Sequence, residues 1–257
     1  MLDDPVLLEM RGQTAVVTLN RPHVHNALGK RTRQMLYRVL RELDDVPEVR
    51  VVILTGTGAS FCSGRDLAEA ALGIGSYDGR SEEADAFNRR SISKPVIAAV
   101  HGNARGGGLE LALACDLIVA ARGTRLGLPE VSRNLVATGG GLLRLLRRIP
   151  HAVAVEMALS GRFATADELD KWGLFASLVD ESELLNEALA LADRIAVAGP
   201  SAVRATKEIL KVASVWGDSE LSFDAQAAIV AWARTSPDRE EGIRAFLEKR
   251  IPEWTDL

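Results

Sequence analysis

Short apolar segments alternate with helical segments through the first half of this chain, and this alternation is the feature that most restricts its fold. Continuous apolar runs of strand length occupy residues 49–55, 95–100 and 117–121. Residues 29–44 carry apolar side chains at helical spacing, and a further helix opens at Gly106 and runs through Cys115. Uninterrupted apolar runs suit strands that are covered on both faces. The pattern predicts an α/β fold built on a parallel sheet.

A hairpin is predicted in front of this core. Residues 6–8 and 14–19 are apolar and flank the turn-forming sequence Arg11-Gly12-Gln13. Residues 66–92 are polar, and we expect them to be helical or loop-like.

Strand signals fade after residue 140, and helical patterns replace them. Helices are predicted at residues 151–160, 165–172, 181–198 and 201–215, with Thr165, Asp167, Ser182 and Ser201 as candidate caps. A short strand is predicted at residues 176–179, and Pro200 marks a boundary. The chain therefore divides into an α/β core of residues 1–195 and a helical C-terminal region of residues 196–257, which we expect to pack on the core or on another subunit.

The composition is that of an ordinary globular protein. Of 257 residues, 47% are hydrophobic and 26% are charged, which excludes a disordered or collagen-like chain. Lysine and arginine number 31 against 35 aspartate and glutamate residues, a net charge of −4, so no basic excess points to nucleic acid. Cys62 and Cys115 are too few for a disulfide scaffold and predict a reducing compartment.

Targeting signals and membrane spans are not expected from the sequence. The first residues are acidic where a signal peptide needs a basic start. Apolar stretches such as residues 95–100 fall far short of the ~18 residues that span a bilayer. We therefore expect a cytoplasmic protein without a membrane partner.

Several familiar motifs fail. Gly56 and Gly58 follow a strand, but Phe61 occupies the third glycine position of the dinucleotide-binding pattern. The four histidines lack metal-ligand spacing, and neither cysteine has a C-x-x-C partner, so no metal site is expected. We expect both cysteines to be small buried hydrophobic residues.

Three segments place small residues at strand-to-loop transitions, where ligands of α/β proteins gather. They cover residues 60–67, 99–111 and 126–130. The glycine run Gly106–Gly108 lets a ligand approach the backbone and opens a helix whose first N–H groups favour negative charge. A further donor from the Ser63–Gly64 turn would complete an oxyanion hole, in which one donor is worth on the order of 3 kcal/mol.

Two glutamates accompany these donors. Glu110 lies early in the helix that Gly106 opens, and Glu130 follows Pro129 in a stiffened loop. Two carboxylates beside one oxyanion site make a natural acid–base pair. Each feature alone also has a structural interpretation, because glycines permit tight packing, an early glutamate favours the helix dipole and a loop glutamate is usually solvated. Their joint occurrence favours a catalytic site.

With these residues the chain resembles the enoyl-CoA hydratase/isomerase, or crotonase, family over nearly its whole length. The matching motifs follow in order: Asn20-Arg-Pro22 with Asn26-Ala-Leu28, Leu54-Thr-Gly56, Phe61-Cys-Ser-Gly64 with Asp66-Leu67, residues 94–100, Gly106–Gly108 with Glu110-Leu111, Ala114-Cys-Asp116, Gly127 with Pro129-Glu130, Gly139–Gly141, Ala205-Thr-Lys207, Glu241-Gly242 and residues 245–250. So many ordered matches are more specific than any single motif.

The resemblance implies a spiral of ββα turns, acyl-CoA thioester substrates and a helical C-terminal region that forms homotrimers or dimers of trimers. CoA is part of the substrate, so no separate cofactor is implied. By similarity, the backbone N–H groups of Ser63 and Gly107 hold the thioester oxygen as an enolate forms. Glu110 binds and activates a water, which adds reversibly across the 2,3 double bond, and Glu130 delivers or removes the α-proton.

The resemblance also implies contacts to CoA. His23, Val24 and His25 lie around the nucleotide, and Asp66 and Leu67 lie beside the adenine and pantetheine. Phe246 and Lys249 reach the CoA of a neighbouring subunit, although Lys249 equally suits the dipole of a C-terminal helix. The complete set of implied substrate-binding residues is His23, Val24, His25, Ser63, Gly64, Arg65, Asp66, Leu67, Gly107, Phe246 and Lys249.

Three departures from the family pattern bear on the acyl pocket. Asn134 stands where relatives often carry glycine, Ala137 lies near their proline, and Arg65 replaces a residue that is commonly small or apolar. Acyl length and the exact substrate therefore stay open. The pair of glutamates favours a hydratase over two alternatives, an isomerase or a dehydratase of a specialised hydroxyacyl-CoA. A non-catalytic acyl-CoA-binding subunit is a further interpretation.

Overall fold

The structure is a computed structural model that describes residues 4–74 and 92–255. Its strands are β1 (Val6–Arg11), β2 (Thr14–Leu19), β3 (Val51–Gly56), β4 (Val96–Val100), β5 (Asn103–Arg105), β6 (Leu117–Ala121), β7 (Arg125–Gly127), β8 (Phe163–Thr165) and β9 (Ser177–Val179). Within the described ranges, one sheet has the order β1-β2-β3-β4-β6-β9 and a smaller one the order β5-β7-β8.

The larger sheet confirms the predicted α/β core. β1 and β2 pair antiparallel, with Arg11 opposite Thr14, so the predicted hairpin turns at Gly12 and Gln13. From β2 onward every pairing in this sheet is parallel. Each predicted apolar run contains a strand, and the short strand predicted near residue 177 forms the far edge.

Both faces of this sheet are buried, which explains why its strands are apolar without alternation. Ala15 and Val17 of β2 point into one core, and Val16 points into a second core on the opposite face. The second core is closed by a helix of residues 184–196, which contributes Leu184 and Ala188.

The helices follow the predicted periodicity closely. They are α1 (Lys30–Asp45), α2 (Leu67–Ala71), α3 (Gly107–Ala114), α4 (Gly141–Arg148), α5 (His151–Ser160), α6 (Ala166–Asp170), α7 (Leu184–Ala196), α8 (Pro200–Trp216), α9 (Glu220–Ala233) and α10 (Asp238–Glu248). Short 3₁₀ turns occupy Pro22–Val24, Pro129–Arg133 and Glu181–Glu183. The polar segment 66–92 was predicted to be helical or loop-like, and α2 agrees with this prediction. Residues 75–91 lie outside the described residues. No helix within the described part of the chain is long and apolar enough to cross a membrane.

One of the four predicted caps is confirmed. Thr165 Oγ1 accepts the Glu168 N–H at the start of α6. The cap predictions for Asp167, Ser182 and Ser201 were wrong. Asp167 lies inside α6, where its carboxylate accepts the Gly123 N–H instead. Ser182 and Ser201 lie within helical turns whose N-cap positions belong to the residues before them.

The smaller sheet was not predicted. Its strands are three residues long, too short for a recognisable apolar pattern. An isolated bridge between Cys62 and Ala104 joins its first strand to the loop that follows β3. This sheet therefore places residues 103–107 beside residues 62–66.

The C-terminal helices follow the core after a short connection of residues 197–199. α7 packs on the sheet and ends at Ala196, next to the predicted boundary, and α8 begins directly at Pro200. The Lys207 ammonium of α8 donates to the Lys94 carbonyl and to the Asp116 carboxylate, each at 2.7 Å. The division at residue 195 stays a prediction, and Lys207 joins the two parts.

Candidate active site

The three segments selected from the sequence converge on one cavity of about 640 Å³ beyond the carboxyl ends of the parallel strands. Its lining includes Ser63 and Arg65 to Leu67, residues 105–107, Glu110, Glu130 and Gly139. α1 forms a further wall with Arg33, Leu36 and Tyr37. The convergence brings both predicted glutamates and the glycine run into one space.

Each glycine of the run has a different role. Gly106 has φ +51°, and a Cβ there would lie 2.8 Å from Glu130 Oε1. A Cβ on Gly108 would lie 2.1 Å from the Cys62 carbonyl oxygen, so this glycine permits the close packing of α3 that the structural interpretation required. Gly107 borders the cavity, where its absent side chain leaves the backbone open to a ligand.

The backbone N–H groups of Arg65 and Gly107 lie close together beside the cavity. A Cβ built on Gly107 would lie 3.5 Å from the Arg65 nitrogen, so the two residues border the same small space. As the first residue of α3, Gly107 has an N–H without an intrahelical partner. The N–H groups of Arg65 and Gly107 make no hydrogen bond within the described part of the chain. Such a pair of convergent donors is what an oxyanion hole needs.

Ser63 does not supply the donor predicted from the sequence. Its N–H donates to the His25 carbonyl oxygen at 2.9 Å, so it is already occupied. The donor lies two residues later at Arg65, because Gly64, with φ +90°, turns the chain between them. A Cβ on Gly64 would lie 2.9 Å from the Gly107 nitrogen and would obstruct the space between the donors. The predicted turn therefore lies at the cavity, and the N–H group that it leaves without a partner is that of Arg65 rather than that of Ser63.

Glu110 is buried on α3 and is held from one side. Its Oε1 accepts the Gly141 N–H at 3.0 Å. The absence of side chains at Gly139 and Gly141 makes room for it, because a Cβ at either position would lie 2.7 Å from the Glu110 side chain. Burial raises the pKa of Glu110, while the Gly141 and Gly139 N–H groups favour its ionised form.

Glu130 lies in the 3₁₀ turn Pro129–Arg133 rather than in an irregular loop. Its Oε2 is buried and finds no hydrogen-bond partner among the described residues. Burial raises the pKa of Glu130, and the nearby negative charge of Glu110 raises it further. The two carboxyl groups therefore differ, since Glu110 is stabilised as a carboxylate by backbone donors and Glu130 has an oxygen without a partner.

This arrangement can support proton transfer at a carbonyl compound. The N–H groups of Arg65 and Gly107 can take the negative charge of an enolate oxygen. A carboxylate and a carboxylic acid beside it can serve as general base and general acid. In the described part of the chain, no group of His, Cys, Asp or Glu side chains is arranged to hold a metal ion.

The predicted substrate-binding residues separate into two sets. Arg65, Asp66 and Leu67 line the cavity. Asp66 also caps α2 and pairs with Arg21 at 2.9 Å. Although burial opposes the change, hydrogen bonds from Glu69 and Arg21 lower the pKa of Asp66.

Ser63 and Gly107 also line the cavity, whereas five predicted contacts lie away from its lining. His23, Val24 and His25 form the 3₁₀ turn after β2 and its cap, and His25 Nδ1 lies 3.1 Å from Ser60 Oγ. Phe246 is 82% exposed on α10, and Lys249 follows that helix in a left-handed conformation. Contacts of these residues with CoA stay a prediction.

Two of the three sequence departures lie outside the lining of the cavity. Asn134 caps the 3₁₀ turn with φ +54°, a conformation for which asparagine is a common substitute for glycine. Ala137 is buried in the main core. Arg65 alone borders the cavity, and its main-chain N–H makes no hydrogen bond among the described residues.

Sequence reasoning missed several residues of the cavity. Arg33 and Tyr37 occupy successive turns of one face of α1, and Arg105 lies over the Phe163 ring, with 5.1 Å between the guanidinium carbon and the ring centroid. A partial signal for α1 existed, because polar side chains at positions 33 and 37 interrupt the buried face of a helix. No local pattern indicates Phe163, because its short strand belongs to the smaller sheet.

Comparisons with known proteins agree with this geometry. The family model described as enoyl-CoA hydratase/isomerase matches residues 9–257. The chain is 37% identical to enoyl-CoA hydratase EchA19 of Mycobacterium tuberculosis, covering 96% of this chain and 95% of that protein. It is 38% identical to the carnitinyl-CoA dehydratase of Proteus mirabilis, with coverages of 96% and 97%.

A solved structure shows the same fold. The crystal structure of enoyl-CoA hydratase EchA1 from Mycobacterium marinum superposes with a TM-score of 0.92 at 43% identity, covering 99% of this chain and all (100%) of that chain. The predicted crotonase fold is therefore confirmed. The chain belongs to the enoyl-CoA hydratase/isomerase family.

Proposed function

We propose that this protein is an enoyl-CoA hydratase, which adds water reversibly across the 2,3 double bond of a 2-enoyl-CoA thioester. The observation that carries the proposal is the convergence of two unpartnered backbone N–H groups and two unlike carboxyl groups on one cavity. The names of the relatives, which include hydratases and a dehydratase of CoA thioesters, support the same chemistry.

In the proposed reaction, the thioester oxygen accepts hydrogen bonds from the Arg65 and Gly107 N–H groups. Glu110, stabilised as a carboxylate by Gly141, takes a proton from the water as its oxygen bonds to C3. The resulting enolate receives a proton at C2 from Glu130. The environments of the glutamates support these roles, because two backbone N–H groups favour the base form of Glu110, whereas the negative charge of Glu110 favours the protonated form of Glu130.

Turnover of enoyl-CoA thioesters of several chain lengths, with the product mass measured, tests this proposal. Hydration consumes the enoyl thioester absorbance and adds the mass of one water. The Glu110→Gln/Glu130→Gln double variant should lose at least ~10²-fold of the rate. Glu48→Gln, at an exposed position outside the cavity, is the matched control and should keep the wild-type rate.

Other outcomes identify the alternatives. A product of unchanged mass would indicate an isomerase, and turnover of specialised hydroxyacyl-CoA thioesters alone would indicate a dehydratase, as the similarity to a carnitinyl-CoA dehydratase allows. Tight acyl-CoA binding without turnover would indicate a binding subunit. Full activity of the double variant would contradict the acid–base mechanism.

We also propose that the protein assembles as a homotrimer or a dimer of trimers. The C-terminal helices expose large apolar side chains, including Trp216, Phe223 and Trp232, and the core exposes Val136 and Leu143. Exposed apolar surfaces at two separate places suit a head-to-tail ring of subunits. Sedimentation equilibrium should give a mass of three or six chains, and a monomer would contradict this assembly.

A further inference from the structure

Asn26 is a buried polar residue in a strained conformation next to the site. It lies in the loop that follows β2, it has no exposed surface, and its φ is +56°. Residues other than glycine adopt this region uncommonly, and they persist there when the surrounding contacts determine the conformation. The contacts of Asn26 therefore show which hydrogen bonds hold it in this conformation.

The Asn26 side chain joins the loop after β2 to the loop after β3. Its Nδ2 donates to the Thr57 carbonyl at 2.9 Å and to the Ser60 carbonyl at 2.7 Å. Its Oδ1 accepts the Arg21 N–H at 2.8 Å. Both amide donors of the side chain are used, so a single residue fixes the distance between the two loops.

The main chain of the same residue continues this connection toward the cavity. The Asn26 carbonyl accepts the Cys62 thiol at 3.2 Å. Burial raises the pKa of Cys62 to about 12, so the sulfur keeps its proton and remains a donor. The Cys62 sulfur in turn accepts the Gly64 N–H at 3.4 Å.

Residues on either side of Asn26 pair with the segment that carries the oxyanion donor. Ser63 N–H donates to the His25 carbonyl at 2.9 Å, and Leu28 N–H donates to the Gly64 carbonyl at 2.7 Å. Asp66 N–H donates to the Leu28 carbonyl at 3.4 Å. The N–H groups before and after Arg65 are thereby occupied, and the Arg65 N–H is left at the cavity.

We propose that Asn26 is a positioning residue that aims the Arg65 N–H at the thioester oxygen. The inference rests on the proposed function, because it assigns the Arg65 N–H to the oxyanion. Asn26 itself touches neither the cavity nor the reacting atoms. It acts by holding residues 25–28 in register with residues 62–66, and a donor displaced by even 1 Å loses much of its effect on the rate.

The test uses Asn26→Gly in the full-length protein. Glycine accepts φ +56° without strain, so this variant removes the side-chain hydrogen bonds and leaves the backbone conformation accessible. We expect kcat to fall about 10- to 100-fold with little change in KM, because the donor is used mainly in the transition state. The red shift in the absorbance of bound cinnamoyl-CoA, which reports polarisation of the thioester carbonyl, should shrink in parallel.

Asp44→Ala is the matched control. The Asp44 carboxylate also joins two segments, accepting the Ser93 and Lys94 N–H groups, and it lies outside the cavity lining. This variant should lower Tm while keeping the wild-type red shift and kcat. A loss that merely reflects lower stability would appear in both variants, whereas a positioning effect appears only at Asn26.

The outcomes are separable. A wild-type protein that binds cinnamoyl-CoA without a red shift and turns over no enoyl-CoA contradicts the proposed function. A wild-type shift and rate that Asn26→Gly retains in full overturn the positioning role alone. If Asn26→Gly does not fold, Cys62→Ala decides, because it removes the connection from the Asn26 carbonyl to Gly64; an unchanged shift and kcat in that variant would overturn the proposal.

Discussion

Glu130 in the cavity and Glu241 in α10 are two largely enclosed glutamates with opposite surroundings. Glu241 accepts hydrogen bonds from Arg250 at 2.6 Å, from Arg244 at 2.8 Å and from the Glu253 N–H at 2.8 Å. The buried Oε2 of Glu130 finds no such partner in the described ranges. Both carboxylate oxygens of Glu241 therefore accept hydrogen bonds, whereas Oε2 of Glu130 accepts none among the described residues.

Their titration differs accordingly. Hydrogen bonds from Arg250 and the neighbouring donors lower the pKa of Glu241, whereas burial raises that of Glu130. Glu241 holds the C-terminal segment against α10 and stays ionised. Glu130 can exchange a proton with a ligand because its buried Oε2 has no hydrogen-bond partner among the described residues. A glutamate thus stabilises the fold where its hydrogen bonds are complete, and it is available for chemistry where one of its oxygens has no partner.

The largest effect on kcat is expected from a substitution of Glu130, whose carboxyl group has an oxygen without a partner among the described residues. Glu130→Gln keeps the shape of the side chain and removes its ability to donate and accept the α-proton. We expect kcat for hydration to fall about 10³-fold. Steady-state rates with crotonyl-CoA measure the effect, and a loss below tenfold would show that Glu130 is not the acid.

A second effect concerns the donors beside it. Gly64→Ala places a Cβ 2.9 Å from the Gly107 nitrogen and strains a residue at φ +90°. We expect kcat to fall about 10²-fold, the typical result of losing one oxyanion donor. Gly12→Ala is the matched control, since Gly12 also has a positive φ but has open space around its Cβ. Equal losses in the two variants would assign the effect to backbone strain instead.

A smaller effect concerns stability and pH. Because the pKa of Glu130 is raised, the folded protein binds more protons than the unfolded chain between the usual value of 4.5 and the folded pKa. Stability therefore falls as pH rises through this window, and Glu130→Gln avoids that loss. Above the window we expect the variant to be more stable by about 1 kcal/mol, a modest gain because water reaches the cavity. Urea unfolding at several pH values measures it, and a destabilised variant at neutral pH would contradict the expectation.

The smallest effect is expected at the satisfied carboxylate. Glu241 has a lowered pKa, so its stabilisation is present above pH 4.5 and is lost as pH falls toward the folded pKa. Glu241→Gln should lower Tm slightly at neutral pH while kcat stays unchanged. The neighbouring exposed Glu240→Gln serves as its control. The comparison fails if Glu241→Gln impairs kcat as strongly as Glu130→Gln.

The sequence predicts those features that local patterns encode. The apolar runs at residues 49–55 and 95–100 predict buried strands. The motifs around Glu110 and Glu130 predict that both glutamates lie near the glycine run. The strands of the smaller sheet escape prediction because three residues carry too little periodicity, and tertiary contacts create them.

The sequence points to the Ser63 amide rather than to the Arg65 amide as the candidate oxyanion donor for a related reason. The motif locates the Ser63–Gly64 turn, but which N–H remains free depends on the His25 carbonyl, a partner from a different loop. Asn26 matched a motif, yet its role depends on hydrogen bonds to residues more than 30 positions away. Local sequence identifies such residues without revealing their partners.

The N–H group that we propose as an oxyanion donor at position 65 belongs to the main chain, so mutation can replace the side chain without removing this donor. Any amino acid except proline carries the same N–H, so a codon change at this position leaves the donor in place while altering the surface that Arg65 presents to a substrate. The side chain that lines the cavity can therefore change while the main-chain N–H of the same residue stays. We expect variants at this one codon to differ in the substrates that they accept while they keep the proposed proton-transfer groups.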